Sequence, residues 1–167
     1  FDGIVGANLM NCCVWQLNPI EETVTFTNDL SKLGHIEEAY ATPMKKVGGQ
    51  KSPYIPIQFN EADPGYVLFD TGSGHFITIT YKSYLSAKNE GRAEDIELIE
   101  GRGLGSAGVF GSDDTTQFVI KLSRTRIGEE IMTNIVTNMS HTNKTKVGMK
   151  FVKGRIITLD FPNKRFF

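Results

Sequence analysis

The chain of 167 residues carries 18 Lys and Arg against 19 Asp and Glu, and its formal net charge of −1 gives no electrostatic reason to expect a nucleic acid or an anionic membrane as a partner. With 40% hydrophobic and 22% charged residues, its composition is that of an ordinary globular domain, and no apolar run approaches the ~20 residues of a membrane span. The cysteines, Cys12 and Cys13, are adjacent, which excludes a disulfide framework and predicts two buried or half-buried thiols.

The beginning of the chain is similar to its end. Gly6 aligns with Gly148 at an offset of 142, and the two segments match without a gap from residue 6 to residue 17. Each copy predicts an apolar-Gly pair, a short helical stretch, an alternating strand and a turn, and closing strands follow at 23–26 and 164–167. An internal repeat indicates two copies of one structural unit. We therefore expect residues 1–26 to be the C-terminal element of a first, mostly missing lobe, with chance similarity of two amphipathic segments as the alternative.

A connecting region follows. Residues 28–34 predict one or two helical turns that end at Gly34. Residues 45–51 are polar and predict a flexible, protease-sensitive segment. We interpret residues 27–52 as a linker.

From residue 53 onwards the pattern is one of short alternating strands separated by turns. A helix is predicted at 81–89, because Thr80 can cap its first turn and Gly91 can end it. Strands are predicted at 54–59, 66–69, 76–79, 96–100, 115–123 and 131–139, with turns at 60–65 and 126–129. The chain is therefore expected to be mostly β, with brief helices.

The most informative stretch is residues 67–74. Three apolar residues of a short buried strand run into Asp70, and small residues then let the chain reverse sharply. An aspartate in this place can cap its own turn, bind a metal or act in catalysis. The three histidines show no ligand spacing, and we expect neither a metal nor another cofactor; they are His35, His75 and His141.

The sequence apolar-apolar-Asp-Thr-Gly-Ser resembles the active-site signature of the pepsin and retropepsin aspartic proteases. A second element of that family is an apolar-Gly segment with a short helix and a closing strand, and residues 146–152 and 155–161 match it. The resemblance covers residues 53–167 as one complete lobe. It implies an all-β, retropepsin/pepsin-like acid protease lobe with short helices, in which the apolar-Gly segment packs beside the active-site loop in a ψ-shaped arrangement of strands. Lobes this short look closest to bilobal, retropepsin-like proteins of bacteria.

The resemblance implies a catalytic role for Asp70. In this family two carboxylates, one from each lobe, face each other and share one proton, because like charges so close cannot both ionise. The ionised member draws a proton from a water that attacks the scissile carbonyl, and the protonated member donates to the carbonyl oxygen. The alternative is that Asp70 is a turn acid that caps its own backbone.

The resemblance also gives roles to the neighbours of Asp70. Thr71 would hydrogen-bond across to the other lobe, Gly72 would let the backbone approach the carboxylate, and Ser73 would bond Asp70 from behind. Gly148 would be the ψ-loop glycine of this lobe, and Gly6 that of the other lobe.

These implications add up to an aspartic endopeptidase that cleaves a peptide or protein substrate between two lobes. The repeat places the other Asp-Thr-Gly about 142 residues before Asp70, ahead of the sequence, so the chain alone is expected to be inactive and to need a complementary N-terminal lobe. One alternative is a catalytically inactive, protease-like peptide-binding module. Another is a homodimer in which two copies of Asp70 form the pair. We expect no nucleic-acid partner, and our working assumption is an extracytoplasmic setting.

The pattern G-x-G-x-x-G at residues 103–108 is interpreted as a loop and not as a nucleotide site. A dinucleotide site needs a helix directly after the glycines, and residues 109–114 are poor helix sequence. We expect a hairpin or loop above the groove, where the family places segments that cover the substrate. Phe110 would line the cleft or pack in the core.

Overall fold

The fold is described from a computed structural model that covers residues 5–59, 65–91, 93–97, 106–108, 111–113, 117–140 and 144–167. In these residues the chain is mostly β-strand with a few short helices, and the predicted fold class is confirmed. Strands β1 to β15 are, in chain order, Val14–Asn18, Thr23–Thr27, Thr42–Pro43, Lys45–Val47, Ser52–Gln58, Gly65–Phe69, Ile77–Thr80, Ala93–Glu97, Ser106–Gly108, Gly111–Asp113, Gln117–Ile127, Glu130–Ser140, Lys146–Val147, Ile157–Asp160 and Arg165–Phe166. Helices α1 to α3 are Ala7–Met10, Tyr81–Asn89 and Met149–Val152, and Leu30–Lys32 forms a 3₁₀ turn.

Local sequence explains where α2 begins and ends. The Thr80 hydroxyl accepts a hydrogen bond from the amide of Ser83 at 3.2 Å, as an N-cap residue does. Gly91 follows the helix with a φ of +69°, a conformation that glycine adopts without steric cost. No helix in the described part of the chain is both long and apolar enough to cross a bilayer.

Two sheets make up most of the molecule. The larger has the order β4-β5-β6-β13-β7-β12-β11-β8, and β11 also pairs with β5. The smaller has the order β2-β1-β14-β15-β3, and β9 and β10 form a separate hairpin. One continuous cluster of buried apolar side chains joins the two sheets, with Ile55, Phe69 and Val147 from the larger sheet and Trp15 and Leu159 from the smaller one.

The two copies of the sequence repeat have the same local structure at the same offset. Helices α1 and α3 begin and end 142 residues apart. The Asn18 side chain accepts from the amide of Glu21 at 3.1 Å, and the Asp160 side chain accepts from the amide of Asn163 at 3.0 Å. Glu22 and its counterpart Lys164 both have a φ of +54°. Positive φ is uncommon for residues other than glycine, so this match is not a general property of turns.

The strand pairing of the smaller sheet relates the copies by a local two-fold axis. Strand β1 pairs antiparallel with β14, and Gln16 lies opposite Thr158, which is its counterpart in the repeat. The Gln16 amide donates to the Thr158 hydroxyl at 3.1 Å. Leu17 pairs with Val24 within the first copy, and their counterparts Leu159 and Phe166 pair within the second. The axis therefore passes between Gln16 and Thr158.

Several predicted details differ from the structure. The sequence predicts a flexible segment at residues 45–51, yet β4 lies in this segment and pairs antiparallel with β5. The turn expected at 126–129 is shorter, since Arg126 and Ile127 are still in β11 and Gly128 turns the chain with a φ of +58°.

Cys12 is exposed, whereas Cys13 is buried as expected, and burial raises the pKa of the Cys13 thiol to about 11. The turn at 60–64, the strand end at 98–100, the first half of the G-x-G-x-x-G pattern and Phe110 lie outside the described residues.

The buried carboxylate of Asp160 gives a test of the closing hairpin. Asp160 is fully buried and accepts from the Asn163 amide and from the Arg165 guanidinium, whose nearest nitrogen lies at 2.7 Å. We expect Asp160→Ala to lower the free energy of unfolding by about 2–3 kcal/mol, because it removes hydrogen bonds to a charged group. Asp160→Asn keeps an acceptor for the turn, as Asn18 does in the first copy, and is expected to cost about half as much. Urea unfolding of both variants checks this, and equal losses would contradict it.

Candidate active site

Asp70 lies in a loop that crosses the end of another strand. Strand β13 lies between β6 and β7, parallel to β6 and antiparallel to β7. Asp70 directly follows β6, so the loop from β6 to β7 must pass over β13 where that strand runs into Gly148. The result is the ψ-shaped arrangement of strands that the sequence resemblance implies.

Backbone hydrogen bonds join this loop to the start of α3. The Asp70 amide donates to the Val147 carbonyl at 2.8 Å. In return, three amides at the start of α3 donate to loop carbonyls: Gly148 to Phe76 at 3.0 Å, Met149 to Ser73 at 2.7 Å and Lys150 to His75 at 3.3 Å. The first amides of a helix have no partner within the helix, and here the Asp70 loop supplies the acceptors.

Gly148 is in such close contact with the loop that no other residue fits without movement. A Cβ atom at this position would lie 2.4 Å from the His75 carbonyl oxygen and 2.5 Å from that of Ser73. Both obstacles are backbone atoms, which cannot rotate away as a side chain can. At its counterpart Gly6, no atom of the described residues other than its own chain neighbours lies within 4 Å of the corresponding Cβ position.

The carboxylate of Asp70 is held at both oxygens. The Gly72 amide donates to Oδ1 at 3.0 Å, and a Cβ at Gly72 would lie 3.2 Å from the same oxygen. The Lys146 ammonium donates to Oδ2 at 3.1 Å, and the Lys146 and Asp70 side chains are 19% and 29% exposed. Asp70 is therefore accessible at the surface, oriented by the backbone and paired with a cation.

Lys146 is the site residue that the sequence reasoning missed. The sequence places it only within the apolar-Gly segment, because a lysine in that position has no signature of its own. The parallel register that sets Lys146 beside Leu68, two residues before Asp70, is what brings it to the carboxylate. The family resemblance implies that the apolar-Gly segment packs beside the Asp70 loop, and this is the signal that could have pointed to Lys146.

Thr71 and Ser73 lie in the loop, but their expected hydrogen bonds stay predictions. Thr71 is exposed, and its predicted partner belongs to another lobe. Ser73 is buried, and its backbone contributes to the loop: the amide donates to the Asp70 carbonyl at 3.1 Å, and the carbonyl accepts from Met149. Of the predicted site residues, the structure brings together Asp70, Gly72, Ser73 and Gly148, whereas Gly6 lies with α1 in the first copy of the repeat.

His75 adds to the electrostatics of the loop. Desolvation by burial lowers the pKa of the His75 imidazole, and the positive charges of Lys150 and Lys146 lower it further. The imidazole is therefore neutral at neutral pH. No group of three or more His, Cys, Asp or Glu side chains among the described residues could hold a metal ion.

Comparisons with known proteins give little beyond this geometry. No protein-family model matches the sequence, and no curated protein matches it. Among solved structures, the chain is similar to the EIAV protease complexed with the inhibitor HBY-793, with 19% identity and a TM-score of 0.43 over 64% of this chain and 90% of that one. A likeness at this level says nothing about the activity of this chain.

The two glycines of the repeat give a matched pair of variants. In the 167-residue chain, Gly148→Ala is expected to lower the free energy of unfolding by about 2–3 kcal/mol, because its methyl group must displace the backbone of the Asp70 loop. Gly6→Ala introduces the same methyl group into open space and is expected to change it by less than about 0.5 kcal/mol. Urea unfolding measures both. Equal effects would mean that Gly148 is not in close contact with the loop.

Proposed function

We propose that this chain supplies one catalytic carboxylate, Asp70, to an aspartic endopeptidase of the retropepsin and pepsin type. The observation that carries the proposal is the Asp70 loop, which is exposed at its carboxylate and fixed at its backbone by β13 and α3. If Asp70 only capped its own turn, its loop would not need to offer the carbonyls of Ser73, His75 and Phe76 as acceptors for the amides at the start of α3. Preorganisation of this kind is what a catalytic group requires.

The proposed chemistry needs a second carboxylate opposite Asp70. Two facing carboxylates share one proton, so that the ionised member takes a proton from water and the protonated member donates to the scissile carbonyl oxygen. Within the described residues, Lys146 is the charged side chain paired with Asp70, and an ammonium in an ion pair cannot replace the carboxylic acid. We infer that the second carboxylate comes from another lobe.

The exposed apolar side chains of the first repeat copy support a complementary lobe. Val5 and Leu9 are 54% and 59% exposed, whereas their counterparts Val147 and Phe151 are 0% and 2% exposed. Val24 is 59% exposed against 5% for its counterpart Phe166. The counterparts are covered by the lobe of residues 53–167, and we infer that a lobe of the same fold covers the first copy. On this proposal residues 1–26 close that lobe and residues 27–52 link the two.

The start of α1 supports the same proposal. The amides of residues 6–8 have no hydrogen-bond partner within the described part of the chain. The corresponding amides of α3 all donate to the Asp70 loop. A second Asp-Thr-Gly loop placed over Gly6 would supply the matching carbonyls and fill the open space around this glycine.

A homodimer through two copies of Asp70 is the less favoured arrangement. Strand β1 already pairs with β14, and the local axis between Gln16 and Thr158 already relates two halves of one sheet within this chain. A second copy would have to form its contact elsewhere.

The composition of the purified native particle tests the complementary lobe. We expect it to contain one copy of this chain with one further lobe that carries its own Asp-Thr-Gly, on the same polypeptide or on another. Native mass spectrometry with peptide sequencing measures this. Two identical copies would indicate the homodimer, and a lone 167-residue monomer would mean half an active site and no enzyme.

Gly6→Ala tests the place where that lobe would dock. In the isolated chain the variant is expected to leave the free energy of unfolding unchanged. In the complete particle it is expected to lower this free energy by about 2–3 kcal/mol, because the new methyl group would collide with the loop of the second lobe, as the methyl group of Gly148→Ala collides with the Asp70 loop. Urea unfolding of both forms gives the difference. A silent Gly6→Ala in the complete particle would exclude docking of a loop on Gly6.

Cleavage of peptides by the complete particle tests the role of Asp70. Asp70→Asn is expected to lower kcat/KM at least a hundredfold, because the neutral amide cannot exchange protons with water or the scissile carbonyl, and general acid–base catalysis contributes roughly this much or more. Asp29→Asn is the control, since Asp29 is an exposed residue that caps the 3₁₀ turn. If Asp70→Asn cleaves as well as the unaltered protein, the proposed function is wrong.

A further inference from the structure

We propose that Lys146 forms a subsite that binds an acidic side chain of the peptide next to the scissile bond. The inference rests on the proposed function of Asp70 and names the class of substrate that its site prefers. It starts from the ion pair of 3.1 Å between the Lys146 ammonium and Oδ2 of Asp70.

The position of Lys146 is fixed by the strand that carries it. Neighbouring residues of a strand point to opposite faces, and Val147 is completely buried. Lys146 therefore points away from the core, on the side on which the Asp70 carboxylate lies. Its side chain is only 19% exposed, so its stem is largely covered while its ammonium reaches the carboxylate.

This position puts the ammonium within reach of a substrate. A scissile bond must lie against Asp70 to be cleaved, and the two Cα atoms that flank a peptide bond are only about 3.8 Å apart. Side chains on either side of the bond therefore enter the neighbourhood of Lys146. Because an endopeptidase substrate continues on both sides of the bond, the carboxylate that reaches Lys146 is that of an Asp or Glu side chain.

The charges around the loop favour an anion. Lys146 and Lys150 are both close enough to His75 to lower the pKa of its imidazole, which stays neutral. A pair of aspartates that shares one proton carries a single negative charge. Among the described residues whose charges act on His75, two lysines against that one negative charge leave an excess of positive charge, and a substrate carboxylate can neutralise it.

Pairing of the two aspartates also frees the lysine. In the structure the Lys146 ammonium pairs with the Asp70 carboxylate. In a pair of aspartates that shares one proton, the single negative charge is spread over two carboxyl groups, so the attraction between Asp70 and the ammonium is weaker. Lysine has a long flexible stem and three donors, so it can keep one bond to Asp70 and direct another to the substrate.

The test compares peptides that are identical except for Glu or Gln beside the scissile bond. With the complete particle, we expect kcat/KM to be roughly fivefold to tenfold higher for the Glu peptide, which is the strength of a partly exposed ion pair. Lys146→Met is expected to abolish this preference, and Lys146→Glu to reverse it, so that the Gln peptide is cleaved better than the Glu peptide. Lys153→Met, at an exposed position beyond α3, is the control and should keep the ratio.

Each outcome bears on one proposal. An unchanged Glu-to-Gln ratio in Lys146→Met would overturn the subsite, as would a loss of all cleavage in that variant, since Lys146 would then serve the chemistry and not the choice of peptide. If the unaltered protein cleaves neither peptide, the proposed function fails. The subsite is then tested by calorimetric binding of uncleavable versions of both peptides to the unaltered protein and to Lys146→Met, where equal affinities would overturn it.

Discussion

The contact between the Gly148 backbone and the Asp70 loop is the constraint on which the candidate site depends. The carbonyls of Ser73 and His75 lie 2.5 and 2.4 Å from where a side chain would begin at Gly148, and the same carbonyls accept the first amides of α3. A larger residue would break both relations at once. The loop and the helix start therefore form one rigid unit, and the Gly72 amide within it sets the direction in which the Asp70 carboxylate points.

On the proposed arrangement, the smaller sheet would extend this geometry to a second lobe. Its register relates the strands of the first repeat copy to those of the second by one axis between Gln16 and Thr158. A lobe built on the first copy as residues 53–167 are built on the second would present its loop to Gly6. We expect the axis between Gln16 and Thr158 to relate the catalytic aspartate of that lobe to Asp70. In that arrangement a strand pairing, and not flexible side chains, would position the two aspartates.

Sequence patterns predicted what depends on neighbours in the chain and missed what depends on register. Thr80 carries the cap of α2 in its own chemistry, and Gly148 could be placed beside the Asp70 loop because a motif with a known arrangement contains both. Strand β4 was missed because its lysines have the composition of a loop, and only its pairing with β5 makes it a strand. The ion pair of Lys146 with Asp70 joins residues 76 positions apart through the parallel pairing of β6 with β13, which no local pattern encodes.

The two repeat copies differ in how much apolar surface they bury. The size of that difference indicates whether a second lobe would be a separate subunit or part of the same polypeptide. Full burial of an exposed Val or Leu side chain is worth about 1.5–3 kcal/mol, and Val5, Leu9 and Val24 are 54%, 59% and 59% exposed, so roughly 2.5–5 kcal/mol is unrealised. Association of separate chains costs about 4–15 kcal/mol in lost translational and rotational freedom, and burial of these three side chains offsets only part of that cost. A lobe on the same polypeptide loses less freedom when it docks. The exposed face of the first copy is therefore better suited to a tethered lobe than to a freely exchanging subunit.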